Sequence, residues 1–565
     1  MTTFRRVLDE NDYKGADLVW LLVVDWGGAL YRFSNIPIEI QYDNGDYQFQ
    51  GQLEQLDYTE QSDLFQISVE SNSVSLAVVF PHDMVEEFRK GRILDGARAE
   101  LSYVMVRNGQ PLQTWEQRIL LFEGEISQPI IGDPEEPLGF AAFSVEQQPY
   151  DMSGYILDQD NLINISKFPN VPNDLGPGKA YPFVFGNPSN SVRADGTNVP
   201  NLYSTPAYPI DSAHGGGGGE ENHDKIMIAG HKVDAATVMI RDGDYRITTQ
   251  PVQEAKDANG VLYSFVDVHG SPVYEADDAG HSNKSYFTRW FNPAGAGTYS
   301  GGHLNPFGEG ILEGGGDLVM YALSKTKMAV DWEAWGSVQQ LLNTFRFAGY
   351  VNEPRVTAWD WLNQNILPLM PLSVVSGPYG LRPVVYLQYF QGQRIAFTTH
   401  ILEGSDFQRI SALEAAVGLD EIYNVIELRY AKDGTSGSFM SYYSIGADLE
   451  YIPETMDFDG YATLSQQRYG VRRNVIETSY VYDTGTAGRI ARYLLRANCL
   501  VKRRLTYRAA AKYGYLMIGD VIGLTSSSLY LTEQIATITS KKWDGSSWLY
   551  DILIEDNPYT TPRGT

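Results

Sequence analysis

The stretch DLVWLLVVDWGGALYRFSNIPIEIQYDNGDYQFQG (17–51) contains three strand-like runs in succession. DLVWLLVVDW, ALYRFSN and IEIQYDNGDYQFQG are rich in β-branched and aromatic residues, which suit a pleated, half-buried surface. Asn44-Gly45 lies between alternating segments and signals a hairpin, because the primed turn needs positive φ there. LVWLLVV (18–24) is far shorter than the ~20 residues that span a bilayer. The sequence therefore predicts β structure from its first resolved pattern onward.

The same reading extends to residue 150. DLFQISVES, RAELSYVMV, QRILLFEGEISQPII and LGFAAFSVEQ are further strand candidates. PHDMVEEFRKG interrupts them as a helix, opening on Pro81 and stopping at Gly91. Residues 1–150 thus form a β domain with one packed helix. Residues 151–205 are a loop-rich linker containing one short buried strand, GKAYPFVFG (178–186). Residues 206–310 hold the strands KIMIAGHKV, ATVMIRDGDYRIT and GVLYSFVDV between glycine-rich loops, the pattern of a small inserted β module.

Residues 311–515 are the main α+β region. DWEAWGSVQQLLNTF places Trp335, Val338, Leu341, Leu342 and Phe345 on one helical face. TAWDWLNQNIL opens with Thr357 three residues before Asp360, a capping-box-like start. TAGRIARYLLRAN aligns Ile490, Tyr493, Leu494 and Ala497, and GDLVMYALSKT also has helical spacing. PVVYLQYF, QRIAFTTH and EIYNVIELRYA read as strands. Residues 516–565 end the chain in β again, with YLMIGDVIGL, EQIATITSKKW and WLYDILIED, the last two joined at Asp544-Gly545. The fold class is mainly β with some α, an α+β chain of several domains. The length of 565 residues agrees, at roughly 100–200 residues per domain.

Composition limits the function. Lys plus Arg is 43 against 70 Asp plus Glu, a formal charge of −27. Such a chain repels phosphate, which argues against general nucleic-acid affinity. Cys499, the single cysteine, excludes an intrachain disulfide and a cysteine-ligated cluster, and is expected to be structural and largely buried. The first residues, MTTFRRVLDENDYKG, have no apolar stretch of signal-peptide length. The expectation is folding in a cytosol without a membrane anchor.

The chemical candidates fail one by one. AHGGGGGEENHDKIMIAGHKV (213–233) has five consecutive glycines, but Glu220 and Glu221 follow them in place of a lysine with Ser/Thr and would repel phosphate, and a strand follows in place of a helix. His214, His223 and His231 stand nine and eight residues apart, which matches no helical or zinc-ribbon ligand spacing. The tract reads as slack surface loop. GEGILEGGG (308–316) lacks the dinucleotide spacing and a βαβ unit, so tight packing at a helix start explains it better. DFDG (457–460) lacks the other ligands of a calcium loop. No residue is assigned a catalytic, cofactor-binding or metal-ligating role, and no cofactor is expected.

SQQRYGVRRNVIETSYVYDTGTAGRIARYLLRANCLVKRRLTYRAAAKYGYLMIGDVIGLT (465–525) resembles the C-terminal region of bacteriophage tail hub proteins, the baseplate or tail-tip hubs of long-tailed phages. The shared order is a Tyr-Gly turn (Tyr469, Gly470), a strand with Arg472 and Arg473, a small-residue helix, and a Gly-Asp-Val turn (Gly519, Asp520, Val521). AYPFVFGN resembles the element after the first hub domain. GDLVMYALSKTKMAVDWEAW and AWDWLNQNILPLMP resemble helices of the second.

The resemblance implies two tail-tube-like β domains, in 1–150 and 311–515, with small β-barrel modules beside them. It implies a homotrimer joining the tail tube to the tip. Its neighbours would be a tail tube or distal tail protein and tip, spike or fibre proteins, and DNA would pass without specific binding. The expected place is the virion tail tip or baseplate, after synthesis in the host bacterial cytoplasm. An acidic lumen would keep DNA mobile. Two alternatives stay open: a carbohydrate-active or peptidoglycan-degrading tail enzyme, and a sugar-binding host-adhesion module.

Overall fold

The strand Asp17–Trp26 is buried on both faces, which explains its unbroken apolar run. Trp20, Leu22 and Val24 enter the main N-terminal core, whereas Val19 and Leu21 meet a smaller cluster with Ile38, Ile40 and Phe49. That cover is the pair Ile38–Ile40 and Tyr47–Gly51, antiparallel with Ile40 opposite Tyr47. Trp115 lies against both Tyr47 and Phe49. The computed structural model describes residues 15–42, 45–61, 73–132, 140–146, 154–157, 161–171, 176–186, 204–213, 223–242, 245–269, 286–289, 302–390, 399–415, 419–432, 437–446 and 460–555. Asn44, the strand expected at 63–71 and the glycine tract 215–219 lie outside them.

Asp17–Trp26 pairs antiparallel with Ala29–Ser34 and with Arg98–Arg107. The sheet continues through Ile119–Ile131, Phe140–Glu146, Ser73–Val79 and Leu53–Gln61. Helix α1 (His82–Arg89), with Pro81 as its N-cap, seats Met84 in this core. The sheet then takes up the end of the chain. Leu531–Trp543 pairs through Ser540 to Lys542 with Leu53–Gln61, and from Ala536 to Trp543 with Trp548–Glu555. Trp548–Glu555 pairs with Lys502–Ala509, and Leu531–Trp543 with Val521–Ser526. The expected hairpin at Asp544-Gly545 is present: Trp543 faces Trp548, Gly545 has φ of +93°, and Asp544 Oδ1 accepts from the Ser546 and Ser547 amides. Residues 516–555 therefore share one sheet and one core with the N-terminal strands.

The inserted module is a seven-stranded sheet, and it corrects the expectation of a small barrel. Its order runs from Tyr245–Pro251 at one edge to Gln253–Lys256 at the other. Val252 alone separates these two strands, and its amide bonds to the Ala236 carbonyl at 2.9 Å. Tyr245–Pro251 therefore runs on into Gln253–Lys256 as one bent strand, which pairs with Thr237–Asp242 at one end and with Leu262–His269 at the other.

The helical region begins with α2 (Gly315–Lys325), α3 (Trp332–Leu342) and α4 (Ala358–Asn365). Gly316 has no side chain because α3 is too close: a Cβ would lie 2.7 Å from the Gln339 carbonyl oxygen. That is the packing role expected for GEGILEGGG. Trp335, Leu342 and Phe345 are buried, with Val338 and Leu341 half-buried. Asp331 caps α3 at the Ala334 amide, and Thr357 caps α4 at the Asp360 amide, each at 3.0 Å. The buried strand Phe183–Phe185 pairs with Gly349–Val351 in this core.

Helices α5 (Tyr461–Tyr469) and α6 (Thr484–Asn498) complete the fold. Asp483 caps α6 at the Thr486 amide, 2.8 Å away. The helix packs Ile490, Leu494 and Ala497 inward, beside the sheet of Val425–Lys432, Phe439–Ile445 and Arg473–Glu477. PVVYLQYF departs from expectation. Its strand stops at Val385 and a 3-10 turn, Leu387–Tyr389, follows.

Candidate functional site

The end of α6 and the end of the chain's last described strand meet at a small cleft. Arg496, Leu500, Val501 and Lys502 line it from the α6 side, Glu555 and Ile535 from the C-terminal sheet, and Tyr389 and Tyr461 from the 3-10 turn and α5. Lys502 and Glu555 are antiparallel register partners, which fixes their positions. Lys502 opens the strand Lys502–Ala509 and is 7% exposed, although it shares parity with the outward-facing Arg504 and Arg508, so the cleft walls and not strand alternation bury it.

Glu555 Oε1 accepts from the Tyr389 hydroxyl at 2.6 Å and from Gln388 Nε2 at 3.0 Å. Arg496 lies over the Tyr461 ring at 4.8 Å and donates to its hydroxyl at 3.3 Å. Burial pushes the Lys502 ammonium down to about 8, against the opposing charge of Glu555. Burial, reinforced by Glu555, raises Tyr389 well above the ordinary phenol range. The cleft thus holds two cationic side chains beside one carboxylate that already accepts two hydrogen bonds. Through Gln388 and Tyr389, Glu555 ties the 3-10 turn Leu387–Tyr389 to the C-terminal sheet. Cys499, expected to be buried and structural, is buried, with its thiol 3.8 Å from the Arg496 carbonyl.

Lys502 yields a pH prediction. Its folded-state value lies below the unfolded value of ~10.4, so the unfolded chain binds the extra proton between them and stability rises with pH across that window. Lys502→Met is expected to be more stable than wild type at pH 7, by roughly 1 kcal/mol or more. The difference should shrink toward pH ~9.5, as the wild-type amine becomes neutral. Urea titrations at the two pH values check this, and a constant difference would count against it.

Three further polar clusters are closed inside the fold. Asp317, near the start of α2, accepts from Asn305, Gln339 and Asn343 side chains. Asp257 accepts from Tyr181 and pairs with Lys167. His231 and His303 lie with ring centroids 4.6 Å apart, next to Phe183.

The histidines bear on the metal question. His231 Nε2 accepts from the Val184 amide at 3.0 Å, and its Nδ1 faces the Lys232 carbonyl at 2.9 Å. With both nitrogens on backbone groups it has no lone pair for a cation. Burial, then His303, pushes it down to about 3. His214 lies outside the described residues, as does the side chain of His223. No group of three or more potential metal ligands occurs among the described residues. None of these clusters was legible beforehand.

No helix among the described residues is long and apolar enough to cross a membrane. No family profile and no curated protein matches the chain. One solved structure, the Francisella PdpA-VgrG complex in its half-lidded form, is similar over 98% of this chain at 7% identity, with a TM-score of 0.29. The chain spans 60% of the length of the chain it matches there. A likeness that low carries no argument about fold or function.

Proposed function

We propose that this chain is a structural subunit of a phage-like tail: a trimeric hub that joins the tail tube to the tip and forms part of the channel for DNA. The observation that carries the reading is the presence of two sheet-and-helix bodies in one chain. The first is the N-terminal sheet with α1, the second the Val425–Lys432 sheet with α6. Three copies of such a chain would offer six sheet-and-helix bodies to a hexameric tube. The hub-like segments support the reading by falling, in order, on ordered elements. AYPFVFGN contains the buried strand Phe183–Phe185, the middle segments contain α2 to α4, and 465–525 runs from α5 through α6 into the C-terminal sheet.

In this role the chain acts as scaffold and channel wall and carries out no catalysis. Its neighbours are tube or distal tail subunits and tip, spike or fibre proteins, and its place is the virion. Light scattering on the purified chain tests the reading. A mass of three 63.1 kDa copies is expected, without lytic activity on cell-wall material. A monomer that cleaves peptidoglycan or polysaccharide would replace the hub with the enzyme alternative. A sixfold ring would also remove the hub, because two bodies per chain would then give twelve.

A further inference from the structure

The inserted module meets the helical region along the strand Phe183–Phe185. One edge of that strand pairs with Gly349–Val351. The other edge meets the turn after His223–Ala229 and the segment at His303. There the Gly230 amide donates to the Pro182 carbonyl at 2.7 Å, and the His303 amide to the Val184 carbonyl at 2.8 Å. The approach is close: a Cβ on Gly230 would lie 2.5 Å from the Tyr181 Cβ.

Val184 is fully buried, so its amide needs an acceptor inside the protein. That acceptor is a side chain, His231 Nε2, at 3.0 Å. His231 Nδ1–H donates to the Lys232 carbonyl, which leaves Nε2 as the unprotonated nitrogen. A proton on Nε2 would set one N–H against another with no acceptor between them. The His303 ring lies 4.6 Å away, with its Nδ1 on the Leu304 carbonyl.

The elements around the pair offer a proton no support. Phe183–Phe185 is apolar. Helix α2 presents Tyr321, whose ring is 5.1 Å from that of His303, and Lys325, whose ammonium stands 4.8 Å over the Tyr321 ring. Leu262–His269 presents Ser264, whose hydroxyl donates to the His231 carbonyl at 2.7 Å. Lys232, next in the chain, pairs with Glu254 at the exposed rim. Burial first, then His303 and Lys325, push His231 down to about 3. Burial likewise lowers His303, although the Leu304 carbonyl pulls the other way.

We propose that the His231–His303 pair is an acid-released latch between the inserted module and the strand Phe183–Phe185. Opening the joint hands both imidazoles to water, where each takes up a proton near pH ~6.5. Both closed-state values lie below that open-state value. The latch is therefore fully closed above pH ~6.5 and weakens as pH falls toward the closed-state values. Within that window each histidine raises the opening constant by up to about tenfold per pH unit, and the pair by up to about a hundredfold. The latch belongs to this joint and does not depend on the hub reading.

Hydrogen exchange of the full chain tests it, read by mass spectrometry on peptides containing Val184 and corrected for the intrinsic pH dependence of exchange. Between about pH 6 and about pH 5 the wild-type opening constant should rise by more than about tenfold. His231→Gln offers the Val184 amide an uncharged acceptor and removes one proton site, so its rise should stay below about tenfold. His231→Gln/His303→Gln should show almost none. Peptides from Asp17–Trp26, in a separate core, serve as the reference and should stay protected. A rise of wild-type size in the double variant means that other groups drive the opening, and overturns the proposal. So does a parallel rise in the reference peptides, which marks global acid unfolding. Circular dichroism at neutral pH checks that the variants fold. If they do not, the wild-type slope decides alone: a rise below about tenfold removes the latch.

Discussion

Trp548→Ala is expected to destabilise the two ends of the chain together, by about 3–5 kcal/mol. Trp548 is fully buried at the point where those ends meet. Its ring lies 5.8 Å from Trp20, 5.0 Å from Trp543 and 5.8 Å from Tyr58, each edge to face. Such pairs add about 0.5–1.5 kcal/mol each beyond area burial, which places the variant in the upper part of the range. The site has little room to collapse. Lys541 holds its ammonium 4.5 Å over the Trp548 ring while donating to the Gly514 carbonyl at 2.5 Å, so the wall beside the indole is pinned. Hydrogen exchange should show amides of Asp17–Trp26 and of Trp548–Glu555 losing protection in parallel. Loss confined to the C-terminal strands would mean that the shared sheet is two separable units.

That joint shows where sequence reading succeeds and where it stops. Asp17–Trp26 was legible as a strand because its residue types and length suffice, whatever covers it. The α3 and α6 stripes were legible because each helix must bury one face, and Thr357, three residues before Asp360, marked the start of α4. The pairing of Ser540 with Gln61 had no local signal, since register between strands so distant in sequence is set by the whole core. Helix α5 was missed because its buried side is small, with Tyr461, Ala462 and Ser465 and little apolar periodicity. The cleft was missed for a related reason. Tyr389 and Glu555 are 166 residues apart, and neither residue is unusual in its own segment. Charge distribution, by contrast, is readable directly, because the arginines of 465–512 stand out against an acidic background before any contact is known.

Asp257→Ala is expected to cost about 3–5 kcal/mol, felt in the inserted module and the linker before it. One carboxylate serves both. Its Oδ1 accepts from the Asn259 and Val261 amides at 2.9 Å each, closing the turn after Gln253–Lys256. Its Oδ2 accepts from the Tyr181 hydroxyl at 2.8 Å and faces the Lys167 ammonium at 3.5 Å, tying residues 161–186 to that turn. The Asp257 side chain is fully buried and that of Lys167 is 5% exposed, so removing the carboxylate takes away a buried opposite charge 3.5 Å from that ammonium. Asp257→Asn keeps the turn acceptor but not the charge, and should remain strongly destabilised. Adding Lys167→Met removes the buried cation as well and should recover part of the loss. Burial alone would raise the Asp257 carboxyl, yet Tyr181, the two amides and Lys167 outweigh it and hold the group below its ordinary range. The stabilisation is therefore complete above the unfolded value of ~3.9 and disappears as pH falls through the lower folded value. Acid melts followed by hydrogen exchange should show the module losing protection in wild type only below pH ~4, and the Asp257→Asn module already weakened at pH 7. If Asp257→Asn matches wild type at pH 7, the ion pair adds nothing beyond the turn, and Lys167 is neutralised by other means.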